Sequence, residues 1–199
     1  MHIVGLLGGV ASGKSTVSQW FAQQGAGVLN ADQAGHEVLR LPEVEAAARL
    51  RWGEEIFGPD GHVDRPRLAK IVFAPTPEGT GERRYLEQLT HPAIGRHLEA
   101  QARQLAEAGR TMAVLDAALL VEAGWDRLCD KLLFVHASRR QRLARAVGRG
   151  WSEEEFAARE GAQESLDLKR ARADVVVDNS GSPEETRAQL ESLWPVLLG

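Results

Sequence analysis

Residues Gly8 to Ser15 fit the spacing G-x-x-x-x-G-K-[ST] at every position, and Thr16 follows directly. Few motifs limit a fold so tightly, because such a loop works only between a buried strand and the start of a helix. Gly8 and Gly13 allow the backbone to wrap an anion with its N–H groups. Lys14 reaches β- and γ-phosphates, and the Ser15 hydroxyl is the candidate Mg²⁺ ligand. The helix that begins at Gly13 turns its positive end toward the same anion. The flanks agree: His2 to Leu7 reads as a strand, and about Lys14 to Gln24 as an amphipathic helix. Gly9, Val10, Ala11, Ser12, Gly13, Lys14, Ser15 and Thr16 are therefore the first nucleotide-binding candidates.

The rest of the chain supplies a sheet for that loop. Ile3-Val4-Gly5-Leu6-Leu7 and Leu132-Leu133-Phe134-Val135 show no polar alternation, as expected of parallel strands covered on both faces. Gly27 to Asn30, Met112 to Asp116, Lys131 to His136 and Asp174 to Asp178 complete five predicted strands. Helical stretches, among them Arg139 to Arg149 and Pro183 to Leu197, separate the later ones. The pattern is doubly wound α/β. Between the second and third strands, Glu43 to Trp52, Arg65 to Phe73, Glu82 to Leu89 and Pro92 to Ala108 all read as helices. Turn residues at Gly58-Pro59-Asp60-Gly61 and Pro75-Thr76-Pro77 break them. We therefore expect one domain over 1–199. Its core covers about 1–39, 110–138 and 172–199, its helical insertion about 40–109, and its lid about 139–171.

Composition removes several classes. With 43% hydrophobic and 26% charged residues the 199-residue chain is globular. A net charge of −4 argues against a nucleic-acid binder. No apolar run approaches the ~18 residues of a membrane span. The single cysteine, Cys129, cannot form an internal disulfide, so a cytoplasmic setting without a signal peptide is expected. Cys129 itself reads as a small, partly buried hydrophobe. A monomer is the expected state, with oligomers left open.

A phosphate loop implies a nucleotide, not a reaction. Asp32-Gln33-Ala34-Gly35 matches the D-x-x-G of a GTPase switch, but no N-K-x-D guanine reader occurs. Met112 to Asp116 is an apolar strand ending in an acid, as a non-kinase ATPase or binding module would also carry. Asp32 falls two residues past the second strand, on the sheet edge that faces ligands in such folds. It is a candidate to accept or orient the proton of an attacking hydroxyl, with a helix cap as the alternative role. Lysines occur only at 14, 70, 131 and 169. The remaining basic residues are arginines, which suit bidentate phosphate contacts. Arg142, Arg145 and Arg149, spaced by three and four, share one predicted helix face that looks built for phosphates. Arg187, near the C-terminus, stands for an ordinary surface arginine. Ser152-Glu153-Glu154-Glu155 reads as the capped start of a further lid helix.

Taken in order, these pieces resemble the dephospho-CoA kinases along nearly the whole chain. The resemblance rests on Leu7 to Thr16, Gly27 to Asp32, Asp60-Gly61, Asp64-Arg65, Ile71 to Phe73 and His91-Pro92. It continues through Asp116 to Leu120, Glu122, Arg145, Arg149, Ser152, Gln163, and Lys169 to Gly181. Asn30, Ala118 and Gly161 depart from the family pattern. The family implies a five-stranded parallel sheet of order 2-3-1-4-5 with helices on both sides. It also implies transfer of the ATP γ-phosphate to the ribose 3′-hydroxyl of dephospho-CoA. Lys14, Arg145 and Mg²⁺ would neutralise the moving group, and Asp32 would serve as base. Arg65, His91 and Asp116 would meet the acceptor, while Arg149, Asn179 and Gly181 would meet ATP. A nucleoside-monophosphate kinase or another small-molecule kinase is the runner-up, and an ATPase module comes third.

Overall fold

Short runs of Val, Leu and Ile without polar alternation have to be covered on both faces, and the parallel sheet does this. The computed structural model describes residues 1–198. Its strands are β1 (His2–Gly8), β2 (Gly27–Asn30), β3 (Met112–Asp116), β4 (Lys131–His136) and β5 (Val175–Asp178). They form one sheet of order β2-β3-β1-β4-β5, every pair parallel, as the family resemblance implied. The helices are α1 (Lys14–Gln23), α2 (Ala31–Val38), α3 (Pro42–Trp52), α4 (Arg65–Val72) and α5 (Pro77–Glu107), then α6 (Arg139–Val147), α7 (Glu153–Gly161), α8 (Leu166–Ala171) and α9 (Pro183–Leu198).

By internal contacts the chain forms two units, Met1–Asn30 with Gln101 onward, and Ala31–Ala100. In the first, Val4, Leu6, Met112, Val114, Leu133 and Val135 of the sheet pack with Val17 and Phe21 of α1 and Leu190 of α9. Trp20, Phe21 and Trp194 close this core, with Trp20 and Trp194 edge to face at 5.6 Å. Full burial of each such side chain contributes about 1.5–3 kcal/mol. β1 lies between β3 and β4, so the loop after it leaves the sheet at the switch point of the strand order.

The second unit has its own core of Ala48, Trp52, Ile56, Phe57, Leu68 and Val72. Arg51 holds Glu82 through two hydrogen bonds, and the Trp52 indole N–H donates to the same carboxylate at 2.7 Å. The stretch expected as two helices, 82–89 and 92–108, is instead the single helix α5 with Pro92 inside it. Pro92 lacks an N–H, an interior defect of about 3 kcal/mol. The buried stripe of Ala93, Ile94 and Leu98 beyond it outweighs that defect.

Candidate functional site

The chain after β1 takes a conformation that most side chains avoid. Ala11 has φ of 57° and Gly13 φ of 101°, and alternation of left- and right-handed residues makes an anion-binding nest. Helix α1 then starts with no side-chain cap and no acid in its first turn. Its positive end is left for an anion. Lys14 folds over this loop, its Nζ 3.2 Å from the Gly8 carbonyl and 3.4 Å from that of Gly9. The exposed Ser15 and Thr16 follow in the first turn.

A cavity of about 410 Å³ opens beside the loop. Gly13 and Thr16 line it with Arg145, Arg149, Asn179 and Gly181, six positions named from the sequence. Arg145 donates to the Ser12 carbonyl at 3.1 Å and to the Asn179 carbonyl at 2.7 Å. The Asn179 side chain is committed as well. Its Nδ2 donates to the Ser12 carbonyl at 2.8 Å, and its Oδ1 accepts from the Thr186 hydroxyl at 3.0 Å. Asn179 and Arg145 therefore shape the loop as much as they line the cavity.

Three sequence expectations change here. Helix α6 ends at Val147, so Arg149 stands beyond it, where its N–H caps back to the Ala146 carbonyl at 3.0 Å. Arg142 does not share the outlook of Arg145 and Arg149. It is 3% exposed and turned inward, because Phe156 and Glu160 of α7 give it an apolar wall and a counter-charge. Arg187 is no ordinary surface arginine, since it lines the cavity from α9. Gln19, Trp20 and Gln23 line it too. Gly13, Thr16, Trp20 and Gln23 recur at spacings of three and four, a signal readable in the sequence as one face of α1.

Asp116 ends β3, level with Leu6 of β1 and Asn30 of β2. The loop after it carries Glu122, which accepts from Lys169 Nζ at 2.9 Å and from the Glu164 N–H at 2.8 Å. Burial pushes the Glu122 carboxyl up, but these bonds and the lysine charge outweigh it and hold it below the ordinary carboxylate value. Lys169 is 2% exposed and also reaches Gln163 at 3.3 Å. Cys129 is partly buried, as expected, and its pKa is pushed up to about 12 by burial and by Asp126 and Asp130. No group of three or more His, Cys, Asp or Glu among the described residues could hold a metal alone.

The remaining candidates lie in the second unit. Asp32 is exposed, in the first turn of α2, which begins at Ala31. It therefore stands inside the helix as a first-turn acid and not before it as the cap. Arg65 opens α4 with its Nη1 3.5 Å from His36 Nδ1. His91 is half-buried in α5, and burial lowers its pKa despite the nearby Glu87.

Residues 2–185 match the family model for dephospho-CoA kinase. A curated dephospho-CoA kinase of Symbiobacterium thermophilum is 43% identical over 202 residues, covering 100% of this chain and 82% of the relative. One of Geobacter sulfurreducens is 40% identical over 197 residues, covering 98% of each. Among solved structures, a Thermus thermophilus protein superposes with a TM-score of 0.81 at 33% identity, covering 100% of this chain and 98% of that one. The dephospho-CoA kinase of Campylobacter jejuni, 21% identical, shares the fold with a TM-score of 0.67 over 98% and 97% of the two chains. With a family match over residues 2–185 and such relatives, the chain belongs to the dephospho-CoA kinase family.

Proposed function

We propose that this enzyme transfers the γ-phosphoryl group of ATP to the ribose 3′-hydroxyl of dephospho-CoA, giving coenzyme A and ADP. The observation that carries the reading is the cavity where Gly13, Arg145 and Arg149 meet Asn179 and Gly181. An uncapped helix end and two arginines at one cavity suit a nucleotide polyphosphate. Phosphoryl transfer needs mainly positioning and charge stabilisation, and fixed cations supply both. Lys14 and Arg145 would neutralise the phosphates. Arg149, Arg187 and the Asn179–Gly181 segment would hold the rest of ATP.

Mg²⁺ fits the donors present. Ser15 offers a hydroxyl and Asp116 a carboxylate, both hard oxygens, and Mg²⁺ keeps the rest of its shell as phosphate oxygens and water. When bound, it would draw charge from the phosphates. Asp32 would accept or orient the proton of the acceptor hydroxyl, with Arg65 and His91 as acceptor contacts. The cytoplasmic setting is part of the same proposal, since one cysteine cannot close an internal disulfide, and so is the monomeric state. No described helix is long and apolar enough to cross a membrane.

The test is ADP release from ATP–Mg²⁺ with dephospho-CoA, AMP, shikimate or no acceptor, side by side. Turnover that depends on dephospho-CoA supports the proposal. Turnover with AMP alone would make the enzyme a nucleoside-monophosphate kinase, and equal release without acceptor would make it an ATPase.

A further inference from the structure

A single guanidinium, that of Arg142, ties three segments together. Its Nε donates to the Ala137 carbonyl just past β4 at 3.2 Å, and its Nη1 to the Val10 carbonyl in the phosphate loop at 3.4 Å. Its Nη2 pairs with Glu160 of α7 at 2.6 Å, and the Phe156 ring lies 5.6 Å from its Cζ. The side chain is 4% exposed. Such a cation does not face the cavity. A Cβ on Gly9 would stand 2.8 Å from Arg142 Nη1, so the loop backbone rests against the guanidinium.

A buried arginine of this kind must be paired, because an uncompensated charge there is strongly destabilising. Among the described residues, Glu160 is the carboxylate that pairs with Arg142, and it also accepts from the half-exposed Arg139 at 3.1 Å. Val10 and Phe156 belong to one small apolar cluster with Ala146, flanked by Leu143 and Trp151. Movement of α7 therefore acts on Arg142 through both charge and packing, and Arg142 acts on the backbone of Gly9 and Val10.

We infer that Arg142 is a positioning residue of the phosphate loop and that Glu160 sets it, so that α7 and nucleotide affinity are coupled. This rests on the reading of the loop as an ATP site. Arg142 would not touch the substrate; it would hold the loop in the geometry that does. A carboxylate-to-amide change keeps the shape of Glu160 but removes the counter-charge, which frees the guanidinium to shift. Misplacement of a positioning group by about 1 Å can cost as much as about 10²-fold in rate.

The experiment combines kinetics with amide hydrogen exchange on the full chain, using Glu160→Gln, Arg142→Lys and, as the control for the outer ion pair, Arg139→Ala. Glu160→Gln should raise the KM for ATP about tenfold or more and leave the KM for dephospho-CoA within about twofold. The peptide over residues 8–13 should exchange faster in the unliganded variant, while β3 and β4 stay protected. Arg142→Lys keeps the charge but not the fork of donors, so it should fall between wild type and Glu160→Gln. Arg139→Ala should match wild type in both readouts. Unchanged ATP KM and unchanged loop exchange in Glu160→Gln would overturn the inference. So would faster exchange spread evenly over the sheet, because that marks general destabilisation. If no variant or wild type turns over dephospho-CoA, the functional reading fails, while ATP binding by calorimetry and the exchange data still decide the coupling.

Discussion

The carboxamide of Asn179 occupies the space that a Cβ on Gly13 would need. Gly13 also has φ of 101°, a left-handed value that an L side chain adopts at a cost of about 1–2 kcal/mol. Two independent constraints thus require glycine at the entrance of α1. The same contact brings β5 to the phosphate loop, because Asn179 directly follows that strand and donates to the Ser12 carbonyl.

Asn179→Ala should therefore weaken nucleotide binding without touching the acceptor. Two buried hydrogen bonds are lost, and stability should fall by about 1–3 kcal/mol. Thr186→Val should do less harm, because the single Thr186 hydroxyl hydrogen is shared between Asn179 and the Ser182 carbonyl, and the Asn179 bond to the Ser12 carbonyl remains. Thermal melts with and without ADP would check this. Equal ADP-induced shifts in Asn179→Ala and wild type would refute it.

The arginines can be ranked by what they touch. Arg145→Ala removes a cavity cation and two bonds to loop and strand carbonyls, so kcat should drop about 10²-fold or more. Arg149→Ala should follow the same course less steeply. Arg187→Ala, now seen to line the cavity, should raise the KM for ATP more than it lowers kcat. Arg103 is exposed on α5 and absent from the cavity lining, so Arg103→Ala should be silent. Steady-state kinetics on the four variants is the measurement, and equal small effects at all four positions would return this group to the surface. Lys14→Ala belongs with Arg145→Ala, since charge redistributes over the phosphates in the transition state.

The pair of buried Lys169 and partly buried Glu122 gives a prediction in pH. Glu122 titrates below its unfolded value, so the pair contributes stability fully above that unfolded value and loses it as pH falls through the folded one. Lys169→Met leaves the partly buried carboxylate without its cation and should cost stability near neutral pH, by less than the about 3–5 kcal/mol of a fully buried pair. In that variant burial acts on Glu122 against the backbone N–H bonds alone, and acid relieves the remaining penalty by protonating it. The stability gap to wild type should therefore shrink between about pH 7 and pH 4. Adding Glu122→Gln to Lys169→Met should recover part of the loss. Denaturant melts at three pH values would test this, and a gap that does not change with pH would sink it.

How much of this was readable beforehand depends on how local the signal is. β3 and β4 lie where their apolar runs put them, because strands covered on both faces show no polar alternation, and the edge strand β2 keeps its expected bounds although Val28 is exposed. The loop from Gly8 to Thr16 was legible because each of its positions has a separate physical job. Where distant packing decides, the sequence was silent. Pro92 marked a break that the buried stripe of α5 overrides. Arg142 shares the spacing of Arg145 and Arg149, yet Phe156 and Glu160, 14 and 18 positions later, draw it inward. Arg187 reaches the cavity only because α9 packs on the sheet beside α1, a pairing between the two ends of the chain.

Asp32 carries the last prediction, and its position in the helix sharpens it. Because α2 begins at Ala31, Asp32 is a first-turn acid and not the cap. If that were its whole role, Asp32→Asn would lose only its attraction to the helix dipole, about 0.3–1 kcal/mol at an exposed site. Activity would then hardly change. As the group that orients or deprotonates the acceptor hydroxyl, Asp32 loses its proton acceptor in the same substitution while keeping its shape. General-base contributions run to about 10²–10⁴ in rate. Phosphoryl transfer is largely dissociative, so the hydroxyl needs little activation early and the effect should sit near the lower end. Asp32→Asn should thus lower kcat about 10²-fold, with the melting temperature and ATP binding nearly unchanged. The KM for dephospho-CoA should move less than kcat, because a base acts chiefly in the transition state. Kinetics with both substrates varied, run beside a thermal melt, separates the two roles. A variant that keeps more than about a third of wild-type kcat would leave Asp32 as a helix-dipole partner only, and Asp116 at the end of β3 would be the next carboxylate to test.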